Sequence, residues 1–319
     1  MAGRSAVILN QLGPAVGERI AAHPSRPIVL AHEVGRAPWE VPAGVEVLLT
    51  RPLIGWEEAP ATRPAGWGDG LRWIQSASTG MDFYPPWLLD GAPVVTCARG
   101  VSAVAIADYV MTAILTFEKQ WDAIRLQGPE DWRRKTLGSL SGKRLGLAGF
   151  GAIGRAITER ALAFGMSVGA PRRSRWDEPE AGVEPFGRLE DLAAASDHLV
   201  LALPLTAATR GLVGAHLLAQ AKPGLHLVNV ARGALVDQHV LLAAIDSGRI
   251  AGATLDVTDP EPLPAGHPFY RYPSIRLTPH VSWSAPDFEQ RLADRILANL
   301  DAYARGAPLR DVVDTATGY

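Results

Sequence analysis

One cysteine, Cys97, in 319 residues excludes an intrachain disulfide and a cysteine-based zinc site, and suits a reducing, cytoplasmic setting. Neither sign of charge is in excess. Lys and Arg number 31 against 33 Asp and Glu, a formal net charge of −2, so the basic footprint of a nucleic-acid or polyanion binder is missing. No apolar run approaches the roughly 20 residues that span a bilayer. The opening MAGRSAVILNQLGP is apolar only from Ala6 to Leu9, too short for a signal segment, and reads as a first strand. The eight histidines show no H-E-x-x-H or comparable ligand spacing, so no metal site is expected. Internal repeats and low-complexity tracts are also missing. What is present is apolar material, 47 % of the chain, and a length for which two domains are the natural division.

That material is punctuated in a regular way. Short apolar runs at 6–10, 27–32, 45–50, 71–76 and 93–97 alternate with helical patches and the Pro/Gly-rich loop EEAPATRPAGWGDG. SAVAIADYVMTAILTF (102–117) predicts a long amphipathic helix. A second series follows, with strands expected at 144–149, 167–170, 198–203, 226–230, 252–257 and 275–278, helical patterns between them, and a last helix in DFEQRLADRILANLDAYARG. Strands alternating with helices indicate parallel α/β sheets, here two α/β domains. Whether the last helix returns to the first domain is not decided by periodicity. Trp73, Phe83, Tyr84 and Trp87 read as core or interface packing, and Cys97 as a small apolar residue of the first sheet.

Two places carry chemistry. In KRLGLAGFGAIGRAI, Gly149, Gly151 and Gly154 have G-x-G-x-x-G spacing between an apolar strand and a helical pattern, the context that lets a helix N-terminus hold a pyrophosphate. The acidic residue usual about 20 positions on, which would hold the adenosine ribose, is absent. The chain reads GAPRRSRWDEPE instead, so Arg172, Arg173, Ser174 and Arg175 could line a phosphate-sized cationic pocket, or form a solvated basic loop balanced by Asp177 and Glu178.

The second place is LHLVNVARGALVD, an apolar run ending on Arg232 and Gly233. An unpaired guanidinium is costly in a core, but ligands in open α/β sheets bind beyond the carboxyl ends of the strands, where Arg232 would face a crevice. The next two strands end in LDVTDPEPLP and LTPHVSW, bringing Glu261 and His280 to the same edge. An anion clamp, a carboxylate and an imidazole suit reduction of a ketone, which needs an electrophilic anchor and a proton donor at the developing alkoxide. Singly, each has a plainer reading: Arg232 paired with Asp237, Glu261 a turn residue between prolines, His280 a buried histidine bonded to backbone.

GFGAIG, LPLTAATRGLV, VNVARGALVDQHVLLAAIDSGRIAGATLDVTDPEPLP with HP after it, and TPHVSW together resemble the D-isomer-specific 2-hydroxyacid dehydrogenase family, which includes glyoxylate and hydroxypyruvate reductases. SASTGMD (76–82) resembles the family's substrate-carboxylate loop, and ARGVSAVAIADYVM its hinge and a helix that often packs across a dimer. The resemblance implies two Rossmann-like or flavodoxin-like domains with parallel sheets, a nucleotide-binding domain (99–283) inserted into a discontinuous substrate domain (1–98 and 284–319). It implies reversible hydride transfer between a nicotinamide and a small 2-oxo or D-2-hydroxy acid. Arg232 would bind the substrate carboxylate and carbonyl, His280 would exchange the proton, and Glu261 would support it. Ser78, Thr79 and Gly80 would surround the carboxylate by their backbone. Gly149, Gly151, Ala152, Ile153 and Gly154 would meet the dinucleotide, and Leu203, Pro204 to Thr206, Thr209, Val230, Ala231 and Asp256 its nicotinamide half. Two departures stand out. Arg172, where an acid is usual, points to NADP(H) in preference to NAD(H); Trp283, where a small residue is common, bears on pocket size. A homodimer is expected. A dinucleotide-sensing interaction protein with little turnover is the alternative, and a formate-dehydrogenase-like role is disfavoured because such relatives carry glutamine at the position of Glu261.

Overall fold

The computed structural model describes residues 5–91, 93–171 and 182–315. The chain divides into two units, one formed by residues 1–102 with 285–319, the other by 103–284.

The first unit opens with β1 (Val7–Asn10), α1 (Pro14–Ala21), β2 (Ile28–Ala31), β3 (Val47–Thr50), β4 (Trp73–Ser76) and β5 (Val94–Thr96). All pair in parallel, in the order β2-β1-β3-β4-β5. The sequence predicts helical patches between these strands, yet among the described residues between them only α1 is an α-helix; the Pro- and Gly-rich connections fold as loops with short 3₁₀ turns such as Trp56–Glu58 and Pro86–Leu88. Successive side chains of a strand point to opposite faces. On one face Leu9, Leu48, Ile74 and Val95 therefore pack under aromatics from those loops, Trp56, Trp67, Tyr84 and Trp87, together with Cys97. Indoles do there what crossover helices do elsewhere.

The second unit begins with α2 (Ala103–Lys119) and continues through β6 (Arg144–Ala148), α3 (Ala152–Ala163), β7 (Ser167–Pro171), β8 (Val183–Phe186), α4 (Leu189–Ala195) and β9 (His198–Leu201). It is completed by α5 (Ala215–Gln220), β10 (Leu225–Asn229), α6 (Gln238–Asp246), β11 (Ile250–Leu255) and β12 (Ile275–Leu277). Its seven parallel strands run β12-β11-β10-β9-β6-β7-β8. Leu145, Leu147, Val168 and Val228 pack on α2 and α3, while Leu199, Leu201, Leu227 and Leu255 pack on α4, α5 and α6. Strand order turns back between β6 and β9, which opens a crevice at their carboxyl ends. β8 carries no sequence expectation: Pro185 interrupts a four-residue run, tolerable because β8 is an edge strand.

The last helix, α7 (Phe288–Ala304), returns to the first unit. Its Leu292, Ala293, Ile296 and Leu300 cover the second face of the five-stranded sheet, against Ile8, Val47, Trp73 and the Val16 and Ile20 of α1. Arg19 on α1 ties the two helices, donating to Asp294 Oδ1 at 2.6 Å and to the Gln290 carbonyl at 3.0 Å. No helix of the described residues is long and apolar enough to cross a membrane.

Candidate active site

At the crevice, β6 runs into the glycine loop, and each glycine meets a different demand. Gly149 has φ +105°, and a Cβ there would lie 2.4 Å from the Ala202 carbonyl oxygen that follows β9, so only glycine lets the strands come together. A Cβ on Gly154 would lie 2.9 Å from the Gly149 oxygen, inside the turn itself. Gly151 faces open space, with nothing within 4 Å of its Cβ position, at the N-cap of α3. The first turn of a helix has N–H groups without intrahelical acceptors, here those of Ala152, Ile153 and Gly154. A phosphate approaching over Gly151 would find donors and room, so the residues present fit a dinucleotide. Arg155 stacks its guanidinium 5.2 Å over the Phe150 ring beside this turn, a cation that the motif alone did not single out. Arg172, Arg173 and Ser174 lie outside the described residues.

The loop after β9 is braced by Thr209, 3 % exposed, whose hydroxyl donates to the Pro204 carbonyl at 2.8 Å and accepts the Thr206 N–H at 2.7 Å. Leu203 is half-buried against the core below, and Val230 and Ala231 are buried at the end of β10.

Arg232 follows Ala231, and its placement is set by two neighbours. Asn229, wholly buried, donates to the Arg232 carbonyl at 2.9 Å and accepts the Ala231 N–H at 3.1 Å, fixing the turn. Gly233 presses so closely on the next loop that a Cβ would lie 1.9 Å from the Thr258 carbonyl carbon. The ends of β10 and β11 are thus in backbone contact. The Arg232 guanidinium, partly exposed, donates to the Ala231 carbonyl at 2.7 Å. Asp237 instead caps α6, accepting the N–H groups of His239 and Val240 at 3.1 Å.

Glu261 Oε1 accepts the Thr258 N–H at 3.0 Å, which aims Oε2 at His280 Nδ1, 2.9 Å away. A carboxylate only accepts, so Nδ1 carries the hydrogen of this contact. The pair remains partly open, with side chains 29 % and 34 % exposed for His280 and Glu261. Because β10, β11 and β12 are neighbours, Arg232, Glu261 and His280 do leave three adjacent strand ends. Trp283 folds back on this segment, its indole N–H donating to the His280 carbonyl at 2.8 Å. Asp256 is 1 % exposed and spends both oxygens on the same segment, accepting from Thr278 Oγ1 and the N–H groups of Val281 and Ser282.

In the first unit, the turn after β4 holds Ser78, Thr79 and Gly80. The Ser76 hydroxyl accepts the Ser78 N–H at 3.0 Å and lies 2.9 Å from the Tyr84 hydroxyl, and Ser78 Oγ donates to the Gly80 carbonyl at 2.7 Å. Among the described residues the N–H groups of Thr79 and Gly80 have no acceptor, which leaves two adjacent amides for an anion.

Residues 110–282 match the family model described as D-isomer specific 2-hydroxyacid dehydrogenase, NAD binding domain. A glyoxylate/hydroxypyruvate reductase A of Serratia proteamaculans is 34 % identical over 240 residues, 74 % of this chain and 75 % of that protein. A glyoxylate reductase of Aeropyrum pernix is 38 % identical over 225 residues, 66 % of this chain and 67 % of that one. Among solved structures, a D-isomer specific 2-hydroxyacid dehydrogenase of Xanthobacter autotrophicus, crystallised with NADPH and MES, superposes with a TM-score of 0.79 at 27 % identity, covering 99 % of both chains.

Proposed function

Because this chain belongs to the D-isomer-specific 2-hydroxyacid dehydrogenase family and is an NAD(P)-dependent 2-oxo acid reductase, we propose that Arg232, Glu261 and His280 carry its reaction, on small substrates of the glyoxylate and hydroxypyruvate kind. The observation that carries this reading is the 2.9 Å contact of His280 Nδ1 with Glu261 Oε2 at the strand end beside that of Arg232. The first turn of α3 would hold the dinucleotide over Gly151, and the bound nicotinamide would supply the hydride that the carbonyl carbon takes up. His280 Nε2 gives its proton to the carbonyl oxygen, and in oxidation takes it back. Glu261 keeps the ring oriented and balances the imidazolium charge. Arg232 binds the carboxylate and polarises the carbonyl with its planar fork, while the amides of Thr79 and Gly80 are an anion site of the first unit itself. Leu203, Pro204, Thr209, Val230 and Ala231 shape the surroundings of the nicotinamide, and Trp283 limits the side chain that substrate can carry. A steady-state screen of glyoxylate, hydroxypyruvate, phenylpyruvate and branched 2-oxo acids tests it. Saturable reduction of the two smallest acids is expected, and the sensing alternative requires no turnover with any.

NADPH is the preferred cofactor in this reading. The support is the string APRRSR, with Arg172, Arg173 and Ser174 where an acid would repel a 2′-phosphate. Charge-assisted hydrogen bonds contribute about 1.5–3 kcal/mol each and about 1.4 kcal/mol is tenfold, so NADPH should exceed NADH by at least about tenfold in kcat/KM. The preference should weaken with salt and collapse in an Arg172→Ala, Arg173→Ala double variant, mainly through KM for NADPH. Equal use of NADH would remove the basis of this preference.

The protein works as a cytoplasmic homodimer. In support, the stretch after α2 exposes Trp121 (65 %), Leu126 (47 %) and Trp132 (79 %), apolar surface of the kind a second copy covers. Light scattering on the eluting protein checks this, with a single monomer mass as the contrary result.

A further inference from the structure

His280 has φ +53°, a left-handed backbone that residues with a Cβ rarely adopt. Such a conformation persists where the surroundings over-determine it. Here the surroundings converge on one residue. The His280 N–H donates to the Asp256 carbonyl at 2.9 Å, and the next two N–H groups, of Val281 and Ser282, donate to Asp256 Oδ1 and Oδ2 at 2.9 Å each. The turn that carries the imidazole is therefore wound around a single aspartate, by its carbonyl and its carboxylate.

What fixes that carboxylate is a second layer. Thr278 Oγ1 donates to Asp256 Oδ1 at 2.6 Å, and the Tyr109 hydroxyl lies 2.5 Å from the same Oγ1. A hydroxyl has one hydrogen, and that of Thr278 is spent on Asp256, so Tyr109 is the donor in the outer bond. Burial pushes the Tyr109 phenol up to about 12, so it keeps its hydrogen at neutral pH. Tyr109 lies in the middle of α2 and packs against the core between that helix and the sheet. Tyr109, Thr278 and Asp256 thus form a one-way series of donors from the rigid helix to the turn.

We propose that Tyr109 and Thr278 are positioning residues for the reaction: their two hydroxyls set the Asp256 carboxylate, which holds His280 in the left-handed turn that presents its imidazole to Glu261 and substrate. This rests on His280 as the proton donor. A structural role alone would lower stability and leave the balance of kcat and KM unchanged; a positioning role touches the proton-transfer step and not the binding of the 2-oxo acid.

Thr278→Val keeps the shape and removes both bonds. It should lower kcat about tenfold or more, with KM for the 2-oxo acid within about twofold. Thr278→Ser, which restores the hydroxyl, should recover most of the rate, and Tyr109→Phe should lose about three- to fivefold. In cofactor-free protein, the His280 ring ¹⁵N signals should move in Thr278→Val and Tyr109→Phe and return in Thr278→Ser. Unmoved His280 signals with unchanged kcat in both hydroxyl-free variants would overturn the proposal. So would a Thr278→Ser protein as impaired as Thr278→Val. Should Thr278→Val fail to fold, Tyr109→Phe decides alone. If His280→Ala keeps full turnover while the His280 signals still respond to Thr278→Val, the proton-donor reading fails and the positioning relay survives.

Discussion

Among the described residues, a histidine–glutamate pair lies at each of the two opposite ends of the strands of the seven-stranded sheet. Near the carboxyl ends, His280 meets Glu261 at 2.9 Å. Toward the amino ends, His198 Nε2 lies 3.2 Å from Glu118 Oε1, and its Nδ1 is 3.2 Å from His226 Nδ1. His226 in turn stacks on Phe117 with ring centroids 4.1 Å apart and reaches Thr254 Oγ1 at 3.0 Å. The chemistry of the partners is the same and their surroundings are opposite. Side chains of the first pair are about one-third exposed, whereas those of His198 and Glu118 are 0 % and 4 % exposed. A group that must give a proton to a visiting molecule has to be reachable, and a group that ties α2 to three strands does not. Burial also holds His226 well below the usual imidazole value, helped by repulsion from His198, so that ring stays neutral.

Variants should separate the two pairs. The largest effect is expected for His280→Ala, a fall in kcat of about a hundredfold or more with melting temperature nearly unchanged. His198→Ala should do the reverse, lowering the melting temperature by several degrees and leaving kcat within a fewfold, since it opens a cavity and leaves Glu118 to Lys143 alone. Comparable kcat losses in both variants would erase the distinction. Next comes Arg232→Lys, which keeps the charge and loses the fork. A tenfold or greater loss in kcat/KM is expected, shared between KM and kcat, and a change within about twofold would mean that no bidentate clamp operates.

The smallest effect concerns acid stability. Burial alone would raise the Glu118 carboxyl, but hydrogen bonds and charge from His198 and Lys143 outweigh it and hold the group below its ordinary 4.5. A carboxyl lowered by folding stabilises the native state above its unfolded value and loses that contribution as pH falls through the folded one. The cost of protonating Glu118 should therefore appear below about pH 4.5, and Glu118→Gln should be less stable at pH 7 with a flatter decline on the acid side. Parallel melting curves for both proteins from pH 7 to 3 would contradict it.

Much of this was legible in the residues, and the boundary of legibility has physical causes. The strands around Arg232, Glu261 and His280 declare themselves because each is an apolar run followed at once by a polar group, and parallel order then makes the three ends neighbours. The glycine loop is readable for the same reason, since spacing along one chain fixes it. The amino-end network is not, because Glu118, His198 and His226 come from separate elements and meet only through strand pairing. Asn229 left a signal, a polar residue closing the run LHLVN, but its bond to the Arg232 carbonyl depends on a turn geometry that spacing does not encode. Tyr109 and Thr278 are 169 positions apart, and no periodicity joins them. β8 was missed because proline in a short run argues against a strand, unless the strand lies at an edge.

The return of α7 to the first sheet carries a consequence for synthesis. Residues 103–284 are contiguous, so the second unit can assemble as soon as its own chain has left the ribosome. The first unit has its five strands made before the second unit, yet one face of that sheet waits for Leu292, Ile296 and Leu300, which are translated only after the whole of the second unit. While the second unit is being made, Ile8, Val47 and Trp73 therefore belong to an unfinished surface, the kind that chaperones hold and neighbouring nascent chains stick to. A stop codon shortly after residue 284 would spare the dinucleotide fold and leave that surface permanently bare. The unit whose strands are made first is the second of the two to be completed.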